Sequence, residues 1–357
     1  MQIGLIGLPM SGKTTIFNAL TGANRPVGPG VAGRLEVEVA VVDVPDPRLD
    51  ALHSLYSSRR KVPARITYAD IGGLAKGISE GGLSGPFRNE LNRMDGFLHV
   101  VRAFENPAVP HSEGSVDPRR DVDILNNEFL LADLITVEKR IERLKDEMGK
   151  GKDREANARH LALFERLQAA LEEEIPLRNL ELSPAERHSL RGYGFLTLKP
   201  QMILLNINDE AAEPEDLVQA LGGQGPVIAI RGALEMEIAQ LEPEEAKAFM
   251  EEYGIHEPAS ERVIRESYRL LNLQTFFTVG DDEVRAWSCP VGATAQEAAG
   301  VIHTDMQRGF IRAEIVPIET LLELGGLAEA RHAGKLRLEG KDYIMQEGDV
   351  MTVRFNV

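Results

Sequence analysis

A glycine-containing loop near the amino terminus constrains the fold of this chain more than any other feature. Residues 7–15 read GLPMSGKTT and match the pattern G-x-x-x-x-G-K-[ST] of a phosphate-binding loop (P-loop). An apolar run at residues 3–6 precedes the loop, and an amphipathic run at residues 16–20 follows it. This order predicts a buried strand, a loop and a helix whose amino terminus faces a phosphate group, because backbone N–H groups and the helix dipole favour negative charge there.

Each residue type in the loop has a physical role in holding a nucleoside triphosphate. Gly7 and Gly12 allow the backbone to turn its N–H groups inward. Lys13 is expected to place its ammonium group near the β- and γ-phosphates, and Thr14 to offer its hydroxyl to Mg²⁺. The loop residues predicted to contact the nucleotide are Gly7, Pro9, Met10, Ser11, Gly12, Lys13, Thr14 and Thr15.

A second acidic group for the metal follows in the stretch YADIGG, residues 68–73. Asp70 ends a predicted strand and is expected to hold Mg²⁺ directly or through water, while Gly73 offers its backbone N–H to the γ-phosphate. The pattern D-x-x-G also occurs in ordinary turns, but its position after a strand downstream of the P-loop favours a GTPase-like arrangement. We predict Lys13 and Gly73 as catalytic groups, and Thr14 and Asp70 as the metal site.

A third motif, Asn-x-x-Asp, follows a later apolar run. Guanine-specific enzymes carry Asn-Lys-x-Asp here, with the lysine packed on the base and the aspartate accepting its N–H groups. Ile207 replaces that lysine, so Asp209 alone fits guanine; base selectivity stays open, and a structural turn is the alternative. A further base-contact loop is expected after the next predicted strand. The residues predicted to line the base site are Asn206, Ile207, Asp209, Gly232 and Ala233.

Composition excludes several classes of protein. Acidic residues outnumber basic ones, 56 against 40, and the net charge of −16 argues against indiscriminate binding to nucleic acid. Apolar runs fall short of the ~20 residues of a membrane span, and the amino terminus lacks a signal-peptide pattern. The single Cys289 excludes an internal disulfide and a multi-cysteine metal site. We therefore expect a cytoplasmic protein without a membrane or DNA partner.

Strand-like apolar runs occur on both sides of a helical segment. They lie at residues 2–6, 35–42, 66–70, 97–103, 202–206 and 227–230. In the segment between the two sets, apolar residues recur at steps of three and four, which is typical of a coiled coil. They are Leu134, Val137, Ile141, Leu144 and Met148, then Leu161, Phe164, Leu167 and Leu171. We predict one nucleotide-binding domain, 1–128 and 199–273, with an inserted helical coiled coil, 129–198.

The remaining segment, 274–357, has a different pattern. Short β-like runs flank one predicted helix over residues 294–306, and the length suits an independent β-grasp-like module. Its basic residues fit either a solvated surface or an RNA contact against the acidic background. They are His303, Arg308, Arg312, Arg331, His332, Lys335, Arg337 and Lys341.

Together these motifs resemble the YchF type of Obg-like ATPase. The resemblance in the first part of the chain rests on the P-loop, VPDPRL at 44–49, DIGGLAKG at 70–77 and HVVRAFEN at 99–106. Residues 273–357 are similar to that family's C-terminal TGS domain. The similar stretches are EVRAW at 283–287, GVIHTD at 300–305, GFIRAE at 309–314 and LEGKDYI at 338–344.

The resemblance covers essentially the whole chain. It implies an α/β fold with a P-loop GTPase-like core, an inserted helical coiled coil and a C-terminal β-grasp (TGS) domain. It also implies hydrolysis of ATP, often in preference to GTP, and association with ribosomes or ribosomal RNA. The family's phosphate and metal residues correspond to Gly12, Lys13, Thr14, Asp70 and Gly73, and its base-contact loop to residues 206–209.

The chain departs from the family pattern near the expected phosphate site. Arg34 and the following Leu-Glu pair stand where the family presents a threonine ahead of Ile-Glu, so a second metal-contacting hydroxyl is missing. The base loop carries Asp209 where the family usually has Glu. Leu74 agrees with the hydrophobic residue that the family has at this position and differs from the glutamine that many GTPases place there to orient water. Three hypotheses follow: an ATPase, a true GTPase, and a nucleotide-responsive ribosome-binding adaptor with little hydrolysis.

Overall fold

The computed structural model describes residues 1–27, 36–72, 83–150, 153–210 and 214–356. The chain forms two compact units. One comprises Met1–Ala40 and Thr67–Ser260, and the other Val41–Ile66 and Glu261–Val357. Every helix within the described ranges is too short or too polar to cross a lipid bilayer.

The strands and helices of the described residues are named in chain order. The strands are β1 (Gln2–Ile6), β2 (Val37–Asp43), β3 (Arg60–Val62), β4 (Arg65–Ile71), β5 (Gly96–Arg102), β6 (Gln201–Asn206), β7 (Val227–Ile230), β8 (Leu273–Thr278), β9 (Glu283–Pro290), β10 (Phe310–Pro317), β11 (Arg337–Glu339) and β12 (Asp349–Phe355). The helices are α1 (Lys13–Thr21), α2 (Pro47–Tyr56), α3 (Gly85–Arg93), α4 (Pro118–Gly149), α5 (Arg154–Glu172), α6 (Pro184–Leu190), α7 (Glu215–Leu221), α8 (Gly232–Ile238), α9 (Pro243–Glu252), α10 (Ala259–Leu270), α11 (Ala295–Ile302), α12 (Thr304–Arg308), α13 (Ile318–Leu324) and α14 (Leu327–His332).

A six-stranded sheet in the order β2-β4-β1-β5-β6-β7 organises the first unit. β1 runs parallel to both of its neighbours, β4 and β5, and β5 and β6 are buried along their whole length. Continuous apolar strands buried on both faces are typical of a parallel sheet. The chain order reverses beside β1, so the loops that follow β1, β4 and β6 meet at one edge, where ligands bind in sheets of this kind. The predicted α/β class is confirmed.

The helices α4 and α5 form a hairpin with a core of its own. Val137, Ile141 and Leu144 on α4 pack with Phe164 and Leu167 on α5. α4 is one continuous helix that begins at Pro118, after the N-cap Asp117. Its first turns pack against the sheet instead. The predicted start of the insertion, residue 129, therefore lies within a helix that contributes residues to two hydrophobic cores, that of the sheet and that of the hairpin.

A buried carboxylate marks the change between these two cores. Asp133, on α4, accepts hydrogen bonds from the backbone N–H groups of Leu196 (2.9 Å) and Thr197 (2.7 Å) and from the Thr197 hydroxyl (2.7 Å). Burial raises the pKa of this carboxyl to about 6, although the three donors act in the opposite direction. The bonds fix α4 against the chain that leads into β6.

The second unit is built on a sheet in the order β11-β10-β12-β8-β9-β3. Phe276, Ile315 and Met351 lie in its core beside Cys289, whose thiol pKa is raised to about 11 by burial. β3 extends this sheet by pairing parallel to β9. β3 belongs to a segment that the sequence assigned to the nucleotide-binding domain, because a three-residue edge strand carries no periodicity of its own. The three-part division 1–128 with 199–273, 129–198 and 274–357 stays a prediction.

The single helix predicted over residues 294–306 is wrong. α11 ends at Ile302, and α12 begins at Thr304. His303 between them has an extended backbone, with φ −161° and ψ 141°, and its Nδ1 accepts the Asp305 N–H at 3.2 Å. A histidine in this role acts as a helix cap, which hydrophobic periodicity does not reveal.

Candidate functional site

The P-loop joins β1 to α1 in a conformation that its glycines require. Gly7 has φ 149° and Gly12 has φ 93°. A Cβ at Gly7 would lie 2.2 Å from the Val100 carbonyl oxygen, and one at Gly12 would lie 2.2 Å from Asn206 Nδ2. Side chains at both positions are thus excluded by the protein's own packing, apart from any effect on a phosphate. Met10 also has a positive φ, 62°, within the turn.

Lys13 folds back over the loop that precedes it. Its Nζ donates hydrogen bonds to the carbonyl oxygens of Gly7 (3.0 Å) and Leu8 (2.9 Å). Withdrawal from water lowers the pKa of the ammonium group to about 8, against the opposing attraction of the Asp70 carboxylate. Lys13 is therefore a cation held at the loop by neutral carbonyl groups, which an anionic phosphate can replace.

Thr14 and Asp70, the two residues predicted to bind the metal, lie in direct contact. The Thr14 hydroxyl donates to Asp70 Oδ2 at 2.8 Å, and the Asp70 side chain is 4% exposed. Asp70 Oδ1 is buried with no hydrogen-bond partner among the described residues. A hydroxyl and a carboxylate with an unused oxygen are ligands that Mg²⁺ accepts.

Among the described residues, the acidic side chains near Thr14 and Asp70 do not complete a metal site by themselves. The described part of the chain holds no cluster of three or more His, Cys, Asp and Glu side chains able to bind a metal ion. Mg²⁺ sites of this composition are completed by phosphate oxygens and water. The donor set therefore fits Mg²⁺ bound together with a nucleotide.

Asn206 ties the P-loop to the amino terminus of α8. Its Nδ2 donates to the Ser11 carbonyl oxygen at 3.1 Å, and its Oδ1 accepts the Gly232 N–H at 3.1 Å. A Cβ on Gly232 would lie 2.6 Å from that Oδ1 and 2.8 Å from Ile16 Cδ1. Both ends of the Asn206 amide thus take part in shaping the loop.

The other residues predicted at the base occupy different positions. The Ile207 side chain is buried with Val101 and Leu205 in the apolar core beneath the loop, so only its backbone is available to a base. Asp209 is exposed, and its Oδ1 accepts the Leu234 N–H at 3.3 Å. Ala233 is exposed beside it. Among the residues predicted to line the base site, Asp209 thus offers an exposed carboxylate to a ligand.

The remaining loop residues differ in burial. Ser11 and Thr15 are buried, and the Ser11 hydroxyl has no hydrogen-bond partner among the described residues. Pro9 is half-buried at the turn. Gly73, Leu74 and Arg34 lie outside the described residues, so their predicted roles stay predictions.

Two residues near the site were missed by sequence reasoning. Arg25 Nη1 lies 3.1 Å from Asp70 Oδ2, the oxygen that also accepts the Thr14 hydroxyl. Asn18, fully buried on α1, donates to the Arg25 carbonyl (3.0 Å) and accepts the Arg25 N–H (3.2 Å). Neither belongs to a named motif, and a long-range ion pair leaves no periodic signal.

Glu235 holds α8, the helix that contacts Asn206, in place. Although it is 4% exposed, its carboxylate accepts the Ala259 N–H (2.7 Å), the Ser260 N–H (3.1 Å) and the Ser260 hydroxyl (2.9 Å). These bonds anchor α8, whose first residue, Gly232, meets Asn206. The contacts that hold the P-loop thus extend through Asn206 to a buried carboxylate on α8.

Comparison with known proteins agrees with this geometry. Residues 2–140 match a family described as 50S ribosome-binding GTPase, and residues 273–356 match the YchF-GTPase_C family, described as a protein of unknown function (DUF933). Proteins named ribosome-binding ATPase YchF are 45% identical in Haemophilus ducreyi and 42% identical in Bacillus subtilis. The first alignment covers 100% of this chain and 99% of the relative, and the second covers 100% of both.

A solved structure gives the same result for the fold. The structure titled as the Schizosaccharomyces pombe YchF GTPase matches with a TM-score of 0.86 and 32% identity. The match covers 99% of this chain and 97% of that one. The predicted resemblance and the P-loop GTPase-like fold are confirmed, and the helical hairpin and C-terminal sheet are consistent with the predicted coiled coil and TGS domain.

Proposed function

This chain is a member of the YchF family, and from that premise we propose that it binds and hydrolyses ATP at the P-loop and associates with the ribosome. It is a P-loop nucleotide-binding protein of the nucleoside triphosphatase class. ATP as the preferred substrate, Mg²⁺ as the cofactor and the residue roles below are parts of the proposal.

One observation carries the proposal: Lys13, Thr14 and Asp70 meet at the carboxyl ends of β1 and β4. Lys13, held by two carbonyl oxygens, supplies a positive charge for phosphate oxygens. The Thr14 hydroxyl and the buried Asp70 carboxylate, 2.8 Å apart, supply oxygen ligands for a divalent cation. A nucleoside triphosphate bound with a divalent cation requires both a positive charge and metal ligands. A strand-to-helix turn with no ligand requires neither.

The residues act mainly by positioning and by electrostatics. We expect Lys13 to leave the carbonyl oxygens of Gly7 and Leu8 for the β- and γ-phosphate oxygens, where its charge opposes the negative charge that develops on the transferred phosphoryl group. The N–H groups at the start of α1 favour the same charge. Thr14 and Asp70 would hold Mg²⁺, which when bound offsets phosphate charge. Gly73 is proposed to donate its N–H to the γ-phosphate.

The preference for ATP over GTP rests on the base loop. Ile207 provides no cation to pack on a base, and the Asn206 amide is used by Ser11 and Gly232. Guanine selectivity would then depend on Asp209 alone, whose carboxylate already accepts the Leu234 N–H. The relatives cited above are named as ATPases, and the S. pombe structure is titled as a GTPase. We therefore propose ATP first and GTP second.

The ribosome is proposed as partner because the relatives carry ribosome binding in their names. We propose the cytoplasm as the location for the same reason. The basic residues of the second unit are the candidate contact, although several are paired within the chain. Arg331 lies 3.0 Å from Glu314, and Arg337 lies 3.7 Å from Glu339. Arg308, Arg312 and Lys335 have no ion pair among the described residues and are the better candidates for an RNA phosphate.

A nucleotide-responsive adaptor with little hydrolysis is the second candidate. It is favoured by Leu74, which replaces a water-orienting glutamine, and by Arg34, which stands in place of the usual threonine. This candidate shares the binding site and differs in turnover, so binding and hydrolysis have to be measured separately.

Calorimetric titration of ATP and GTP into the wild type and Lys13→Ala tests the binding proposal. Lys247→Ala is the matched control, since Lys247 is an exposed lysine on α9 paired only weakly with Glu251 at 4.0 Å. We expect ATP to bind at least as tightly as GTP, and Lys13→Ala to lose affinity by orders of magnitude while Lys247→Ala does not. Clearly tighter GTP binding would discard the ATP preference. Unchanged affinity in Lys13→Ala would discard the site.

A further inference from the structure

The carboxylate of the proposed metal site already carries a cation from the protein. Arg25 Nη1 and the Thr14 hydroxyl both approach Asp70 Oδ2, at 3.1 and 2.8 Å. A carboxylate oxygen has two lone-pair positions, and these two donors fill them. A divalent cation cannot use this oxygen while both donors remain in place, and at Oδ1, which has no partner among the described residues, it would meet the repulsion of the adjacent guanidinium charge.

Arg25 is held in this position by its backbone. The buried Asn18 side chain bonds both the carbonyl and the N–H of Arg25, at 3.0 and 3.2 Å. The Arg25 side chain is 28% exposed, and its Nε lies 3.9 Å from Glu38 Oε2 on β2. The Arg25 backbone is therefore fixed by Asn18, and its guanidinium group lies near a second carboxylate, that of Glu38.

The electrostatic need for Arg25 follows from the burial of Asp70. A carboxylate that is 4% exposed requires a positive partner or strong hydrogen bonds to stay ionised. The Thr14 hydroxyl supplies one neutral bond, and Lys13 attracts the carboxylate without a direct bond, since its ammonium group donates to the carbonyl groups of the loop. Among the described residues, Arg25 is the cation in direct contact with the Asp70 carboxylate.

We propose that Arg25 is the resident cation of this metal site: it neutralises Asp70 when no metal is bound, competes with the divalent cation, and is displaced when the cation enters with the nucleotide. The inference rests on the proposed function, since it assumes that Thr14 and Asp70 hold the metal. Its consequence is weak metal binding by the nucleotide-free protein and strong coupling between metal and nucleotide.

Binding of Mn²⁺ to the full chain tests this, measured from the loss of the free-ion EPR signal with and without a non-hydrolysable ATP analogue. Arg25→Gln removes the competing charge, and we expect its nucleotide-free form to bind Mn²⁺ about tenfold more tightly or better than the wild type. Arg93→Gln is the control, because Arg93 pairs with Glu90 at an exposed position of α3. It is expected to leave Mn²⁺ affinity unchanged.

Equal or weaker Mn²⁺ binding by Arg25→Gln, in protein that still binds the analogue, overturns the proposal while leaving the nucleotide site intact. Failure of every variant to bind the analogue instead overturns the proposed function. Should Arg25→Gln not fold, Arg25→Met takes its place. Methionine keeps a long unbranched side chain without the charge, so we expect the same gain in Mn²⁺ affinity, and affinity equal to that of the wild type counts against competition.

Discussion

Asn206 provides the sharpest test of how the P-loop is held, because one side chain makes both contacts. Asn206→Ala leaves the Ser11 carbonyl oxygen and the Gly232 N–H without partners at a residue that is 4% exposed. An unpaired buried backbone group costs about 1–3 kcal/mol, so the two together cost roughly 2–6 kcal/mol of unfolding free energy. Asn206→Asp keeps the acceptor for Gly232 and turns an oxygen toward the Ser11 carbonyl, which confines the damage to the P-loop side.

Comparing ligands with and without a base distinguishes a role of Asn206 in the P-loop from a role in binding the base. If ~1.4–2.8 kcal/mol of the cost falls on the P-loop, nucleotide affinity falls about ten- to hundredfold. The loss should be the same for ATP, GTP and inorganic tripolyphosphate, since the loop binds phosphate. Calorimetry on Asn206→Asp measures this, with Asn126→Ala as the control, an asparagine that bonds Gln224 and is not part of the P-loop. Wild-type affinity for tripolyphosphate in Asn206→Asp, or a loss seen only with ATP and GTP, would refute the reasoning.

Three further predictions concern stability. Asp133→Asn turns an amide donor toward the N–H and hydroxyl groups of Thr197 and should cost about 2 kcal/mol in urea unfolding, whereas wild-type stability would contradict the bonding described. Burial lowers the pKa of His99 to about 3, below the ~6.5 of an unfolded histidine, so the unfolded chain binds more protons at this residue and the contribution of His99 to stability falls as pH drops below 6.5. This contribution is up to about 1.4 kcal/mol per pH unit and is opposed below pH 6 by Asp133, whose pKa is raised; His99→Gln should remove it and lower the slope of stability against pH between pH 4 and 6.5, and an unchanged slope would exclude His99. Phe164→Ala should cost about 3–4 kcal/mol in the α4–α5 hairpin and leave ATP affinity unchanged, and a matching loss of affinity would show that the hairpin supports the site.

The parts of the fold that follow from local pattern were predicted well. The P-loop and the buried strands carry their signals within a few residues, and Gln2–Ile6 and Val227–Ile230 have the predicted bounds. Features set by distant contacts were not found. β3 is a strand because it pairs with β9, and the start of α4 depends on packing against the sheet.

The same distinction applies to the site. Lys13, Thr14 and Asp70 were predicted from motifs, and the structure brings them together. Ile207 is a core residue because it continues the alternation of Ile203 and Leu205 along β6 and packs in the same apolar cluster. Arg25 could not be found, since an ion pair joining residues 45 positions apart leaves no mark on either segment.

The central claim is that this P-loop hydrolyses ATP, and single-turnover release of phosphate from radiolabelled ATP tests it most directly. The measurement compares the wild type with Lys13→Ala, each with and without ribosomes. We predict release by the wild type, faster with ribosomes, and a loss of orders of magnitude in Lys13→Ala. Equal release by both proteins, or none from the wild type even with ribosomes, would contradict the account.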